Sequence, residues 1–205
     1  MISILINKIF NNVWPMLVVF IVAICLIRYF YLQNHRERFC FHKEFSYLIS
    51  VVYMLLLFEI LTMTELNSAS GMNLVPFSEI FRYQIGSQMF NYNVVGNILI
   101  FLPFGYLIGT YVNPKKIWPV LITTFFTSIA IEFVQLEIGR SFDIDDILLN
   151  VLGGFIGYLL YVGINAISKR LPDFFRSDLF YNILCIIIVL LFGIYVFGYW
   201  GVIFK

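Results

Sequence analysis

The sequence predicts an all-α, polytopic transmembrane helical bundle with about six spans, five being the alternative. Apolar residues make up 61% of the 205 residues and charged residues only 12%, and the mean hydropathy is +0.90. Soluble domains contain about 45–50% apolar and about 25% charged residues. The apolar residues also occur in separate runs, each close to the roughly 20 residues that a helix needs to cross a bilayer. We therefore expect a multi-pass protein of the cell membrane, with residues 1–205 in one transmembrane domain.

The predicted spans end where polar residues accumulate. Residues 67–92 are too polar to cross, and Pro76 and Gly86 interrupt them; within this stretch, residues 73–81 are expected to form an amphipathic or re-entrant piece at the interface. Pro103 lies near the middle of the third span and predicts a kink there. The six spans cover about residues 12–32, 46–66, 94–112, 117–138, 146–167 and 180–203.

The distribution of basic residues predicts the orientation. Nine of the thirteen lysines and arginines lie in or directly beside the first, third and fifth connections between the spans. Cytoplasmic loops carry the excess of Lys and Arg, so both termini are predicted outside. The nine are Arg28, Arg36, Arg38, Lys43, Lys115, Lys116, Lys169, Arg170 and Arg176, and the other four are Lys8, Arg82, Arg140 and Lys205.

One stretch of this apolar chain, residues 132–157, is rich in ionisable and amide side chains. An ionisable group inside a membrane is costly and by default indicates a functional site. Helical spacing stacks Glu132 and Gln135 on one face of the fourth span and Asp146 and Asn150 on one face of the fifth. The predicted orientation places this site at the outer side. The candidate binding residues are Asn97, Glu132, Gln135, Arg140, Asp143, Asp146 and Asn150.

Structural alternatives exist for several of these side chains. Arg140 is the natural ionic partner of Glu132, and it could instead form a salt-bridged turn with Asp143 or Asp145. Asp143 could cap the N-terminus of the fifth helix, where acidic residues are favoured. Asp145 lies about 100° from Asp146 around an ideal helix, so we expect it to lie apart from the cluster.

Glycines at small-xxx-small spacing follow the polar residues on the third and fifth spans. Such spacing allows two helix backbones to approach closely within a membrane. We expect a packing role for these glycines, which would bring the polar ends of the helices together. The glycines are Gly105, Gly109, Gly153, Gly154 and Gly157.

The cysteines and histidines predict no metal site and no cofactor. Cys25, Cys40 and Cys185 lie far apart, without a Cys-x-x-Cys motif or the Cys/His pairing of a zinc site. His35 and His42 fall in a basic loop, which is typical of a solvated surface. The net charge of +1 gives no reason to expect nucleic acid.

Five motifs in order resemble the VanZ-like family. They are NLVPF at 73–77, NILIFLPFG at 97–105, E-x-x-Q at 132–135, G-R-x-x-D-x-x-D at 139–146, and Asn150 followed by Gly153, Gly154 and Gly157. The resemblance covers about residues 50–165, and the first and sixth spans lie outside it as additions. It implies a small helical membrane protein, and the family's namesake is associated with low-level resistance to teicoplanin and related lipoglycopeptides. Those drugs act at the outer face, on lipid-linked cell-wall precursors ending in D-Ala-D-Ala.

Three functions remain open. In the first, the outer-face site binds a lipid-linked cell-envelope molecule or glycopeptide antibiotic, with Arg140 pairing with an anionic group. In the second, the protein is a membrane enzyme that modifies a lipid or cell-wall precursor, with Glu132 or Asp146 as general base or metal ligand. In the third, it is a small-molecule transporter, for which Pro103 offers a weak indication. We favour binding over catalysis because no histidine, cysteine or serine nucleophile has a recognisable spacing to the carboxylates.

Overall fold

The computed structural model describes the main chain of residues 2–62 and 71–203, and the side chains of residues 14–61 and 71–194. The helices are α1 (Ile2–His35), α2 (Phe41–Thr62), α3 (Gly96–Val112), α4 (Trp118–Glu137), α5 (Ile144–Ser168) and α6 (Asp178–Ile203). A short helical turn, Gln88–Phe90, and a π-helical turn, Asn91–Val95, lead into α3. A 3₁₀ turn, Asp173–Arg176, precedes α6. Two short strands are β1 (Met72–Asn73) and β2 (Phe142–Asp143).

Five helical segments in the described part of the chain are long and apolar enough to cross a membrane, which fits the predicted helical membrane fold. They are Trp14–His35, Phe41–Leu61, Gln88–Val112, Trp118–Glu137 and Ile144–Ser168. Helix α6 contributes a shorter apolar segment, Asp178–Ile194, to that part of the chain. The protein is therefore an α-helical membrane protein.

Local sequence explains the ends of the central helices. Helix α3 continues through Pro103 and stops at Asn113, whose backbone is left-handed with φ 46°. Asparagine tolerates that conformation, and the following Pro114 prevents the helix from continuing. Helix α4 has Pro119 in its first turn, where proline's missing N–H removes no intrahelical bond.

The strands were absent from the sequence-based prediction. β1 and β2 pair in parallel, with Met72 opposite Phe142 and Asn73 opposite Asp143. The stretch after β1 forms consecutive turns over residues 76–82. The expectation of an amphipathic or re-entrant piece at the membrane interface over 73–81 stays a prediction. The pairing fastens this stretch to the connection between α4 and α5.

The chain divides into two units, Leu56–Ala166 and a second formed by Met1–Leu55 with Ile167–Lys205. The single transmembrane domain expected for residues 1–205 stays a prediction. In Leu56–Ala166, Phe101 and Val120 are completely buried. This unit contains α3, α4, both strands and most of α5, and it holds all the candidate site residues.

Glycines allow α3, α4 and α5 to pack closely. A Cβ atom placed on Gly105 would lie 1.9 Å from the carbonyl oxygen of Gly154, and one on Gly157 would lie 2.0 Å from that of Leu102. Gly153 faces the carbonyl of Ile98 in the same way, at 2.3 Å. No side chain fits at these distances, so α3 and α5 approach backbone to backbone.

The remaining two packing glycines face side chains. A Cβ atom on Gly109 would lie 2.6 Å from the ring of Tyr161, and one on Gly154 would lie 2.6 Å from the hydroxyl of Thr124 in α4. Gly154 therefore contacts α4 through its Cα and α3 through its carbonyl. Helix α5 uses this glycine to fit against both neighbours.

The other unit has polar contacts of its own. Arg28 of α1 donates two hydrogen bonds to the carboxylate of Glu44 in α2, at 2.7 and 2.8 Å. The Arg28 guanidinium also lies over the rings of Tyr31 and Tyr47. The expectation that His42 belongs to a solvated surface is wrong, because its side chain is only 16% exposed. The main-chain N–H of His42 donates to Asn182 of α6 at 2.8 Å.

Candidate functional site

The predicted polar cluster borders an open cleft of about 510 Å³ in the Leu56–Ala166 unit. The cleft lies where the turns after β1, the π-helical turn before α3, and the start of α5 come together. Its charged lining consists of four carboxylates and two guanidiniums. These are Glu79, Asp143, Asp145, Asp146, Arg82 and Arg140, and the lining also includes Asn73, Tyr83, Asn93 and Ser141.

Asp143 connects the cleft to the buried residues behind it. Its main-chain N–H donates to Glu132 Oε2 at 2.9 Å, and its side chain accepts the N–H of Asp145 at 2.8 Å. The second contact makes Asp143 the cap of α5, which was one of the roles expected for it. Asn73 Nδ2 lies 3.3 Å from both carboxylate oxygens of Asp143. Burial raises the pKa of Asp143, and the hydrogen bonds from Asp145 and Asn73 oppose this effect.

Asp145 holds the turns after β1 in place. Its Oδ1 accepts the main-chain N–H of Phe77 at 2.5 Å, and its Oδ2 accepts those of Glu79 at 2.8 Å and Ile80 at 3.2 Å. Only 1% of Asp145 is exposed. The expectation that Asp145 lies apart from the cluster is therefore wrong. Asp145 and Asp146 do point in different directions from α5. The prediction failed because a loop from a distant part of the chain packs against the side of α5 that carries Asp145.

Asp146 lies on the cleft side of the same helical turn. Its Oδ1 accepts a 2.6 Å hydrogen bond from Asn97 Nδ2, which joins the first turn of α5 to the first turn of α3. Asn97 itself is not among the residues that line the cleft. Its role in this geometry is to orient the Asp146 carboxylate.

Among the residues that the structure describes, main-chain groups and not a carboxylate hold Arg140. Its N–H donates to the carbonyl of Gln135 at 2.9 Å, and its guanidinium donates to the carbonyl of Leu61 at 3.1 Å. Gln135 Nε2 donates to the same Leu61 carbonyl at 2.6 Å. Within the described ranges, no carboxylate oxygen lies within 4.0 Å of the Arg140 guanidinium. The expected pairing with Glu132 is absent from these contacts, since Glu132 accepts the Asp143 N–H instead.

Glu132, Gln135 and Asn150 lie behind the cleft and do not line it. Each is at most 2% exposed. Asn150 Nδ2 donates to Ser128 at 2.8 Å and so connects α5 to α4. Among the described side chains, Gln135 Oε1 and Asn150 Oδ1 are buried without a hydrogen-bond partner. Buried amide oxygens normally accept a hydrogen bond, so these two atoms are exceptions among the described side chains.

The structure adds cleft residues that the sequence analysis missed. Glu79 forms an ion pair with Arg82 at 2.9 Å and accepts the Tyr83 hydroxyl at 3.2 Å. Asn93 belongs to the π-helical turn, a geometry that often marks functional positions. The NLVPF motif was the one available signal for this region, because Asn73 is its first residue.

The charged lining offers few groups to a ligand once internal contacts are considered. Glu79 and Arg82 pair with each other, and both oxygens of Asp145 accept main-chain N–H groups. Asp143 is occupied by Asn73 and by the cap of α5. Arg140 and Asp146 therefore remain as the charged side chains best placed to contact a molecule in the cleft.

Comparison with known proteins finds similarity over the part of the chain that forms this cleft. Protein VanZ of Enterococcus faecium is 26% identical over 151 residues, which cover 71% of this chain and 87% of that protein. No solved structure matches the chain. The sequence model of the VanZ/LLP1 family matches residues 44–169, more than half of the chain. The chain therefore belongs to the VanZ/LLP1 family.

Proposed function

We propose that this VanZ-like membrane protein binds the anionic part of a lipid-linked cell-envelope molecule in an outer-face cleft and thereby lowers susceptibility to teicoplanin-type lipoglycopeptides. Arg140 carries the proposal. It lines the cleft, and in the described part of the chain its guanidinium contacts a carbonyl but no carboxylate within 4.0 Å. A guanidinium in this state retains donors for the two oxygens of a phosphate or carboxylate.

Asp146 supplies the second element of recognition. Asn97 fixes its carboxylate at the cleft, where an acceptor oxygen suits a hydroxyl, amide or ammonium group. A molecule that carries an anion beside such donors matches the two side chains together. Lipid-linked cell-wall precursors have both kinds of group, and the family relationship with Protein VanZ supports this class of ligand.

The proposed test measures teicoplanin susceptibility in cells that lack the protein and are complemented with variants. Arg140→Lys and Asp146→Asn should each abolish the protective effect while the amount of membrane protein stays near normal. Lysine fails because it lacks the planar fork of arginine. Arg176→Lys and Asp173→Asn are the matched controls, since these residues pair with each other in the turn before α6. Both controls should protect as well as the wild type.

The combined variant gives a sharper criterion. Arg140→Lys with Asp146→Asn should be no worse than the more damaging single change, because residues that act on one ligand are non-additive. Full protection by both single variants would contradict the proposal. So would a wild-type protein that leaves susceptibility unchanged relative to an empty vector.

A membrane enzyme is the second candidate, because Asp146 lies at the cleft with its carboxylate oriented by Asn97. A carboxylate held in this way could act as a general base on a bound lipid or precursor. The outer-leaflet lipids of cells with and without the protein separate the two proposals. A lipid species that depends on Asp146 indicates catalysis, whereas an unchanged profile with altered drug binding indicates binding alone.

A further inference from the structure

A second cluster of polar side chains lies at the N-termini of α2 and α6, outside the cleft. Cys40 directly precedes α2, His42 lies in its first turn, and Asp178 is the first residue of α6. All three belong to the unit formed by the two ends of the chain. One ligand atom from each residue lies within 4.8 Å of those of the other two.

The distances in this cluster are close to those around a bound metal ion. Cys40 Sγ lies beside the His42 ring, 3.2 Å from Nδ1. His42 Nε2, on the other side of the ring, lies 3.7 Å from Asp178 Oδ1. Tetrahedral zinc has bonds of about 2.0–2.3 Å to sulfur, nitrogen and oxygen, which places its ligand atoms about 3.3–3.8 Å apart. Since the three ligand atoms lie within 4.8 Å of one another, they need to approach by about 1–1.5 Å at most to surround a zinc ion.

Asn182 orients the histidine from one helical turn further along α6. Its Oδ1 lies 3.0 Å from His42 Nδ1 and accepts the His42 main-chain N–H at 2.8 Å. An acceptor at Nδ1 favours the tautomer with its proton on that atom, which leaves the lone pair of Nε2 for a metal. Histidine ligands usually donate their other ring N–H in this manner.

We propose that Cys40, His42 and Asp178 form a zinc site, with water completing the coordination and Asn182 holding the histidine. A set of thiolate, imidazole and carboxylate suits zinc better than calcium or magnesium, which prefer oxygen alone. Lys43 Nζ lies 3.3 Å from Asp178 Oδ1. In the proposed site, zinc takes the place of this ammonium group as the partner of the carboxylate. The local spacing of cysteines and histidines predicted no metal because Asp178 lies in a distant part of the sequence.

The test uses the full chain in detergent, stripped of metal and titrated with zinc against a coloured chelator. The wild type should bind one zinc ion per chain, and Asp178→Asn should weaken binding about tenfold or more. Asn182→Ala should weaken binding about tenfold through the freed histidine. Cobalt in place of zinc should give a thiolate charge-transfer band that Cys40→Ser removes.

Matched controls use the same residue types elsewhere in the chain. Cys185→Ser and His35→Gln should bind zinc and cobalt like the wild type. A wild-type protein that binds no more zinc than the Cys40→Ser variant, or a thiolate band that survives Cys40→Ser, would overturn the proposal. At a zinc concentration near the wild-type Kd, zinc should also raise the unfolding temperature of the wild type more than that of Asp178→Asn; equal shifts in both would overturn the proposal as well.

Discussion

Asp145 accepts three main-chain hydrogen bonds from one loop, so a single substitution tests what holds the cleft together. Asp145→Asn replaces one carboxylate oxygen with an NH₂ group that faces the donors of Phe77 or of Glu79 and Ile80. We expect unfolding to become easier by about 2–3 kcal/mol and the unfolding temperature to fall by about 5–10 °C. Thermal unfolding in detergent measures this.

The control for this change is Asp173→Asn. The Asp173 side chain is 96% exposed and its partner is Arg176, so the substitution should shift the unfolding temperature little. If Asp145→Asn were equally silent, the main-chain contacts at 77–80 would contribute nothing to stability.

Asp143 predicts a pH dependence of stability. Burial raises the pKa of this carboxyl above its ordinary value of 3.8, so the folded protein binds the proton more tightly than the unfolded chain does. Stability therefore falls as the pH rises from that ordinary value through the raised one. Asp143→Asn cannot ionise, and its side-chain oxygen still accepts the Asp145 N–H.

The measurement compares the unfolding free energies of the wild type and Asp143→Asn across that pH range. The unfolding free energy of Asp143→Asn relative to that of the wild type should increase as the pH rises and then become constant. Asp173→Asn should follow the wild type throughout. A difference that stays constant with pH, or that moves in favour of the wild type, would contradict the burial of a charge at this position.

At the scale of the helices, glycines decide how α3, α4 and α5 meet. Gly157→Leu forces a side chain against the main chain of Leu102, and Gly154→Leu forces one against Thr124. Overpacking of this kind costs about 1–3 kcal/mol or more, and the Leu102 main chain is less able to move than a side chain. Both variants should yield less folded protein, and Gly157→Leu should be the more severe.

The same helix provides the control. Gly163 also lies in α5, and an added Cβ atom there has nothing within 4 Å. Gly163→Leu should therefore leave the yield and the unfolding temperature of purified protein near those of the wild type. Unchanged stability of both Gly154→Leu and Gly157→Leu would mean that α5 does not pack against α3 and α4 as described.

The central helices could be predicted from sequence because their determinants are local. The expected spans 94–112, 117–138 and 146–167 end within two residues of α3, α4 and α5. Each is an apolar run bounded by polar residues, proline or asparagine. Spacing along these helices also identified Asp146 and Asn150 as members of one polar region.

The parts of the site that sequence missed depend on contacts between distant segments. Two residues of β1 pair with two of β2, and no periodicity is recognisable in so short a strand. Without that pairing, the turns after β1 could not be placed beside α5. The Asp145 contacts and the cleft residues Glu79 and Arg82 were therefore out of reach of a pattern-based argument.

At the scale of the whole molecule, the proposed function requires the cleft to face outward. The prediction is that both termini and the 139–145 connection lie outside, and it rests on the excess of lysine and arginine at the opposite ends of the spans. Ser141 is exposed and lines the cleft, whereas Lys115 and Lys169 are exposed in other connections. These three positions suit single-cysteine labelling in a protein that lacks Cys25, Cys40 and Cys185.

An impermeant thiol reagent applied to intact cells should label Ser141→Cys and leave Lys115→Cys and Lys169→Cys unlabelled. All three should be labelled after the membrane is permeabilised, which shows that each thiol is reactive. The predicted orientation places Ser141 outside the cell and Lys115 and Lys169 inside it, so the three labelling results together test a single topology. If intact cells label Lys115→Cys and Lys169→Cys but not Ser141→Cys, the protein has the opposite orientation in the membrane. The cleft would then face the cytoplasm, where Arg140 could not reach a precursor in the outer leaflet.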